Sequence, residues 1–242
     1  MSAFAGYFDR IYVINLPERG DRLDEMKQQL ERAGLRLGEG KVALFSAVRP
    51  SAAGAFDTVG AHGCFLSHLA VLEDAGARAC ARVAIFEDDL NFVRDFRERI
   101  DTVLETLSQA PWSMFYGGHR LPVTLPPGLW RIPAATDVST THFVAFQGAA
   151  ITRAAQMLRR MASRPSGDPR GGAMHVDGAY NWYRRLNAAD LALAAMPELG
   201  YQRSSRTDVH RLGWMDKTPL VRQSVARLRR LRNRAAARFT GP

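Results

Sequence analysis

Three consecutive carboxylates, Glu87-Asp88-Asp89, follow directly on the apolar run Ala81 to Phe86 (ARVAIF). Three like charges at the mouth of an apolar segment repel one another at a cost unless a cation is present. Mg²⁺ and Mn²⁺ prefer oxygen ligands of this kind and often combine one or two carboxylates with substrate phosphates. The same triplet also reads as a solvated loop whose aspartates cap the next helix. No GxGxxG, GxxxxGK[ST] or HExxH pattern occurs in the chain, which excludes a dinucleotide loop, a P-loop and a zincin helix. The charge of a phosphorylated ligand would then be met by metal and arginine rather than by a glycine nest. Arg19 and Arg22, just after the run Arg10 to Leu16 (RIYVINL), stand at the right place for that.

The elements that must position these groups are legible as alternating apolar runs and helical periods. Strands are expected over residues 10–16, 42–48, 81–86, 113–117, 142–151 and 191–196, from β-branched and aromatic enrichment. Helices are expected after a cap at Asp21, over residues 63–75 and 94–108, over Arg153 to Ala162, and after Asp177. Residues 121–133 read as a Pro-rich crossing and residues 164–173 as a Pro- and Gly-rich loop. This rhythm predicts an α/β fold with a mostly parallel sheet and helices on both faces. Sites in such sheets lie beyond the carboxyl ends of the strands. That rule selects the turn Asn15-Leu16-Pro17-Glu18-Arg19 and the acidic triplet. Ser67 and His68 fall on the second helix, where a histidine is by default a hydrogen-bonded packing residue, and Cys64 reads as a small buried hydrophobe.

At 242 residues, 46% hydrophobic and 24% charged, the chain has the composition of an ordinary globule and enough length for a sizeable core. Disordered, collagen-like and membrane-spanning classes are excluded on these grounds. The formal charge of +9 is unevenly placed. Residues 1–198 carry 22 Lys and Arg against 22 Asp and Glu, so the whole excess lies in the last 44 residues. Two cysteines, Cys64 and Cys80, cannot form a disulfide framework or a four-thiolate zinc site. With no signal-peptide pattern at residues 1–10 and no apolar run of about 20 residues, a cytoplasmic protein is expected.

Several segments occur together in an order that resembles glycosyltransferase family 25. These are YVINLPERGDRLDEM from Tyr12, GCFLSHLAVLEDA from Gly63, AIFEDD from Ala84, HVDGAY around Asp177 and PELGYQRSSRTD from Pro197. That family includes lipopolysaccharide-core and collagen galactosyltransferases. The resemblance implies a GT-A type fold, Rossmann-like, over residues 1–218. It also implies a nucleotide-sugar donor, UDP-galactose above others, bound with Mn²⁺ or Mg²⁺. Asp89, with Asp88, would hold the metal, and His210, with Asp208, would add a further metal or phosphate contact. Asn15, Leu16, Arg19, Arg22, Ser67, His68, Glu87 and Asp88 would line the donor. Inversion at the sugar calls for a carboxylate base, for which Asp177 is the candidate; as a purely structural residue it would cap the helix that follows it. Glu73 and Asp74 lie too deep in the second helix for that task. Two positions depart from the expected pattern: Ala150 stands where an aromatic is expected, and residues 119–140, a candidate acceptor wall, match nothing in the family.

Residues 219–242 predict a basic amphipathic helix, with Val221, Val225, Leu228, Leu231, Ala235 and Phe239 within one arc. Such a helix suits either packing on the domain or peripheral attachment to an anionic inner membrane surface carrying a lipid-linked glycan acceptor, for which the family resemblance implies a lipopolysaccharide or lipooligosaccharide core. Nucleic acid is not an expected partner, because the body is charge-balanced and lacks a basic face. Two other functions compete: a metal-dependent phosphohydrolase using the same triplet, and a non-enzymatic module acting through the basic tail.

Overall fold

The computed structural model describes residues 2–203. The expected basic helix at 219–242, with Asp208 and His210, lies outside the described residues. In chain order the elements are α1 (Ala3–Tyr7), β1 (Arg10–Asn15), α2 (Gly20–Arg32), β2 (Val42–Ser46), α3 (Val59–Ala77), β3 (Arg82–Glu87), β4 (Leu90–Phe92), α4 (Phe96–Ser108), β5 (Trp112–Arg120), β6 (Gly128–Arg131), β7 (Ser139–Gln147), α5 (Ala149–Ala162), α6 (Val176–Leu186), β8 (Leu191–Met196) and β9 (Gly200–Gln202).

Seven strands form one sheet in the order β2-β1-β3-β7-β5-β8-β6, and β4 pairs with β9 in a small ribbon. Strands β1, β2, β3, β5 and β8 point one way, while β7 and β6 run against them. Both faces of the sheet are buried, so its central strands are apolar throughout rather than alternating with polar residues. Ile11, Val13, Ala84, Phe86, Phe143 and Ala145 face the layer of α1, α2 and α4. Tyr12, Ile14, Val83, Ile85, Val144 and Phe146 face α3, α5 and α6. The period of two along each strand sorts these residues between the two cores.

Several boundaries differ from the expectation. The strand expected over 142–151 stops at Gln147, because Gly148 takes φ 60° and turns the chain into α5. Positive φ is open to glycine without a Cβ clash. Ala150 is accordingly a buried helical residue on α5. Asp21 does not cap α2; Arg19 holds the cap position and Asp21 lies in the first turn. The segment read as a Pro-rich crossing contains β6, which pairs antiparallel with β8 at the sheet edge. α1 was not expected; its Phe4 is fully buried against Phe86 and Phe143, with both ring centroids 5.8 Å away.

α3 begins at Val59, four residues ahead of the expected start. Thr58 caps it by accepting a hydrogen bond from the Ala61 amide at 3.0 Å. This extra turn carries Gly63 against the segment after β2: a Cβ on Gly63 would meet the Val48 carbonyl oxygen at 2.6 Å. The close approach is sealed by Ser67, whose Oγ donates to the Gly63 carbonyl (2.7 Å) and accepts from the Val48 amide (2.8 Å).

Candidate active site

The carboxyl ends of β1 and β3, the amino end of β7 and the first turns of α3 and α6 meet around a cavity of about 520 Å³. Leu16, Arg19, Arg22, Cys64, Ser67, His68, Glu87, Asp88, Asp89, Thr140, Thr141, Asp177 and Gln202 are among its walls. Of the described residues expected in a site, all but Asn15 line this cavity, and Asn15 lies immediately behind it, buried against Asp88. Antiparallel β7 makes the convergence possible, because its reversed direction delivers Thr140 and Thr141 to the edge where β3 delivers the acidic triplet. From the unplaced stretch 119–140, Thr140 is the residue that reaches the cavity wall.

The three carboxylates are handled differently. Asp88 is buried, accepting from Arg22 Nη1 at 3.0 Å through Oδ1 and from Asn15 Nδ2 at 2.8 Å through Oδ2. Burial pushes its pKa up, against the pull of the Arg22 charge and the Asn15 hydrogen bond. Glu87 accepts from Thr141 Oγ1 at 2.6 Å and faces His68 Nε2 at 3.3 Å. Burial raises its pKa, but the hydrogen bond and charge of His68 and the hydrogen bond from Thr141 outweigh that and hold it below the ordinary value. Asp89 has the least support: Oδ2 accepts from Gln202 Nε2 at 3.2 Å, while buried Oδ1 has no hydrogen-bond partner among the described residues. Burial, reinforced by the Glu87 charge, pushes its pKa up to about 7.

Main-chain contacts fix the triplet. Arg203, buried, donates from Nη2 to the Asp88 carbonyl (2.8 Å), and its amide donates to the Asp89 carbonyl (2.7 Å). Arg203 also pairs with Glu25 at 2.9 Å. Sequence reading missed this clamp. Its one signal was the position of Arg203 within the PELGYQR segment.

Asp177 is not the cap of α6; His175 holds that position. Its Oδ1 accepts from the Gly178 amide at 2.7 Å and its Oδ2 from the Thr140 amide at 3.2 Å. The Thr140 amide is aimed at this carboxylate by an unusual backbone, φ 68° at a β-branched residue, and Thr140 Oγ1 is buried without a partner among the described residues. His68 is fully buried, with Nδ1 2.9 Å from the Tyr180 hydroxyl. Arg19 forms a two-point pair with Asp21, at 2.9 Å for each bond.

Residues 8–120 match the sequence pattern of "Glycosyltransferase family 25 (LPS biosynthesis protein)". That segment, just under half of the 242-residue chain, is similar to glycosyltransferase family 25. Over 131 residues, 47% of the chain, it is 33% identical to the human "Inactive glycosyltransferase 25 family member 3" and 30% identical to "Procollagen galactosyltransferase 1-A" of Xenopus laevis. The matched regions are 22% and 21% of those proteins, so the chain spans well under a third of their length. In fold it is similar to a glycosyltransferase involved in glycosylation of the major capsid of PBCV-1, with TM-score 0.50 and 10% identity, covering 81% of this chain and 96% of that one. The chain therefore has a GT-A-like α/β fold.

Proposed function

We propose that this protein is an active, divalent-metal-dependent hexosyltransferase of family 25. It would move galactose from UDP-galactose to a glycan hydroxyl, with inversion. The observation that carries this reading is the buried, unpartnered Oδ1 of Asp89 on a cavity that Asp177 also lines. A buried carboxylate oxygen without a donor is costly, and a hard cation is the partner its chemistry fits. Mn²⁺ or Mg²⁺ would be held by Asp89. Asp88 is a weaker ligand, since each of its oxygens already serves Arg22 or Asn15. When bound, the ion would supply Lewis-acid stabilisation of the departing nucleoside diphosphate.

The chain's own residues would do the rest. Asp177, with both oxygens oriented by the Thr140 and Gly178 amides, would accept the proton of the acceptor hydroxyl as it attacks the sugar in a single displacement. Leu16, Arg19, Arg22, Ser67, His68 and Glu87 would form the donor wall, with Asn15 supporting it from behind Asp88. The printed names of relatives range from galactosyltransferases to inactive members; activity is proposed because Asp89 and Asp177 face one cavity. A lipopolysaccharide or lipooligosaccharide core is the acceptor class we favour, reached from the inner membrane face through residues 219–242. Among the described residues no helix is long and apolar enough to cross a membrane.

Thermal unfolding against a panel of nucleotide sugars, with and without Mn²⁺, tests the donor. A ligand at 100 times its Kd adds about 2.7 kcal/mol, a midpoint rise of roughly 5–10 °C for a chain of this size. UDP-galactose with Mn²⁺ should give that rise, and no rise with any sugar nucleotide would overturn the reading. Deleting residues 219–242 should abolish binding to anionic vesicles while leaving donor binding intact.

A further inference from the structure

Cys64 and His68 stand four residues apart on α3 and so share one helix face. Glu87 reaches them from the end of β3, and the ligating atoms of all three lie within 4.8 Å of one another on the cavity wall. We propose that Cys64, His68 and Glu87 form a second metal site, selective for thiophilic dications such as Zn²⁺. We propose further that its occupancy excludes the nucleotide sugar.

One edge of a metal polyhedron is already in place. Two ligands on a tetrahedral zinc with bonds of about 2.0–2.2 Å are separated by about 3.3–3.5 Å. His68 Nε2 and Glu87 Oε1 are 3.3 Å apart, long for a hydrogen bond and matched to that edge. The metal would take the place of the proton between His68 and Glu87, and that proton and the Cys64 thiol proton would both pass to solvent as the thiolate turned in to ligate. The fourth position would face the cavity and take water, as in zinc sites with three protein ligands.

The surroundings are also those of a metal site. A ligating imidazole usually gives its other nitrogen a hydrogen-bond partner, and ligating carboxylates are hydrogen-bonded in turn. His68 Nδ1 has the Tyr180 hydroxyl at 2.9 Å, and Glu87 Oε1 has the Thr141 hydroxyl at 2.6 Å. Asp88, Asp89 and Asp177 line the same cavity and supply a field that favours a dication. The ligand types separate this site from Asp89: thiolate and imidazole suit zinc, whereas carboxylate alone suits Mg²⁺ or Mn²⁺.

The exclusion of donor rests on the reading above, in which His68 and Glu87 belong to the donor wall. A zinc ion drawing both side chains together would withdraw them from the sugar nucleotide. Manganese at Asp89 and zinc at Cys64 would then have opposite effects on the same enzyme.

Co²⁺ is the probe for the full-length, chelator-treated protein, because it reports sulfur ligation by a thiolate-to-metal charge-transfer band. One equivalent of Co²⁺ should produce that band, Zn²⁺ should erase it, and Cys64→Ala should lose it with an unchanged circular dichroism spectrum. Tyr180→Phe should keep the band but weaken Zn²⁺ binding about 10- to 100-fold. Zn²⁺ should suppress the UDP-galactose and Mn²⁺ thermal shift in the wild type and not in Cys64→Ala. No charge-transfer band, or a band that survives in Cys64→Ala, overturns the site. Equal suppression in both proteins overturns the exclusion. A Cys64-dependent band with no nucleotide-sugar shift under any condition upholds the site and sinks the donor reading instead.

Discussion

Arg22→Met tests whether Asp88 is held as a buried ion pair. The two side chains are each 9% exposed and meet at 3.0 Å. At that separation the gross attraction is about 5 kcal/mol with an effective dielectric near 20, and breaking a buried pair from one side costs about 3–5 kcal/mol. Methionine fills much of the space but leaves the carboxylate with Asn15 as its remaining side-chain donor. A loss of that size lowers the midpoint by about 6–20 °C, at about 2–4 °C per kcal/mol for a protein this long. The pH dependence has a definite sign. Burial has already raised the Asp88 pKa, and removing the Arg22 charge raises it further. A carboxylate whose folded pKa is raised costs stability as pH rises above its unfolded value. The penalty of Arg22→Met is therefore largest near pH 8 and shrinks as pH falls toward 4. Thermal denaturation at the two pH values measures this, with Asp88→Asn and the double variant completing a cycle. The double variant should be more stable at pH 8 than Arg22→Met alone. A penalty below about 1 kcal/mol, or one equal at both pH values, would refute the ion-pair account.

Asp89→Asn should raise the midpoint at pH 8 without metal and leave it unchanged at pH 4. Its carboxyl is pushed up to about 7 by burial and by Glu87, so ionisation costs stability between about pH 4 and 7. The same variant should lose the Mn²⁺-dependent nucleotide shift, and a retained shift would move the metal elsewhere. Buried His119 and His142 have lowered pKa values through desolvation, so their contribution to stability is lost as pH falls below about 6.5. Glu198, raised to about 7 chiefly by burial, contributes in the opposite direction over about pH 7 to 4.5. Glu198→Gln should therefore steepen the loss of melting temperature from pH 7 to 5, and an unchanged slope would count against it. Thr140→Gly should raise stability by about 1 kcal/mol, as relief of left-handed strain worth about 1–3 kcal/mol exceeds the entropic cost of glycine. A calorimetric midpoint below that of the wild type would show that the strain is absent.

Local pattern carried much of this protein's description. The apolar, β-branched-rich runs Arg10 to Leu16 and Ala81 to Phe86 announced strands whose carboxyl ends hold the candidate chemistry, because such enrichment is a property of neighbouring residues. The charge balance of residues 1–198 likewise needed no structure. Helix ends were read less well. The true caps at Thr58, Arg19 and His175 depend on where the chain enters each helix, not on which nearby side chain is able to cap.

What lay beyond the sequence is whatever depends on which strand pairs with which. Residue types alone do not reveal that β7 runs against β3, yet that reversal brings Thr140 and Thr141 beside Glu87 and sets the Thr140 amide on Asp177. Nor does the composition of the acidic triplet assign different fates to its members. Asp88 is neutralised by Arg22, 66 residues earlier, Glu87 is tied to His68 and Thr141, and Asp89 is left with an unpartnered oxygen. The sequence by itself determined that carboxylates stand at the sheet edge. Only the tertiary structure, by bringing donors to both oxygens of Asp88 and to just one oxygen of Asp89 among the described residues, decided which carboxylate oxygen is left buried and unpaired.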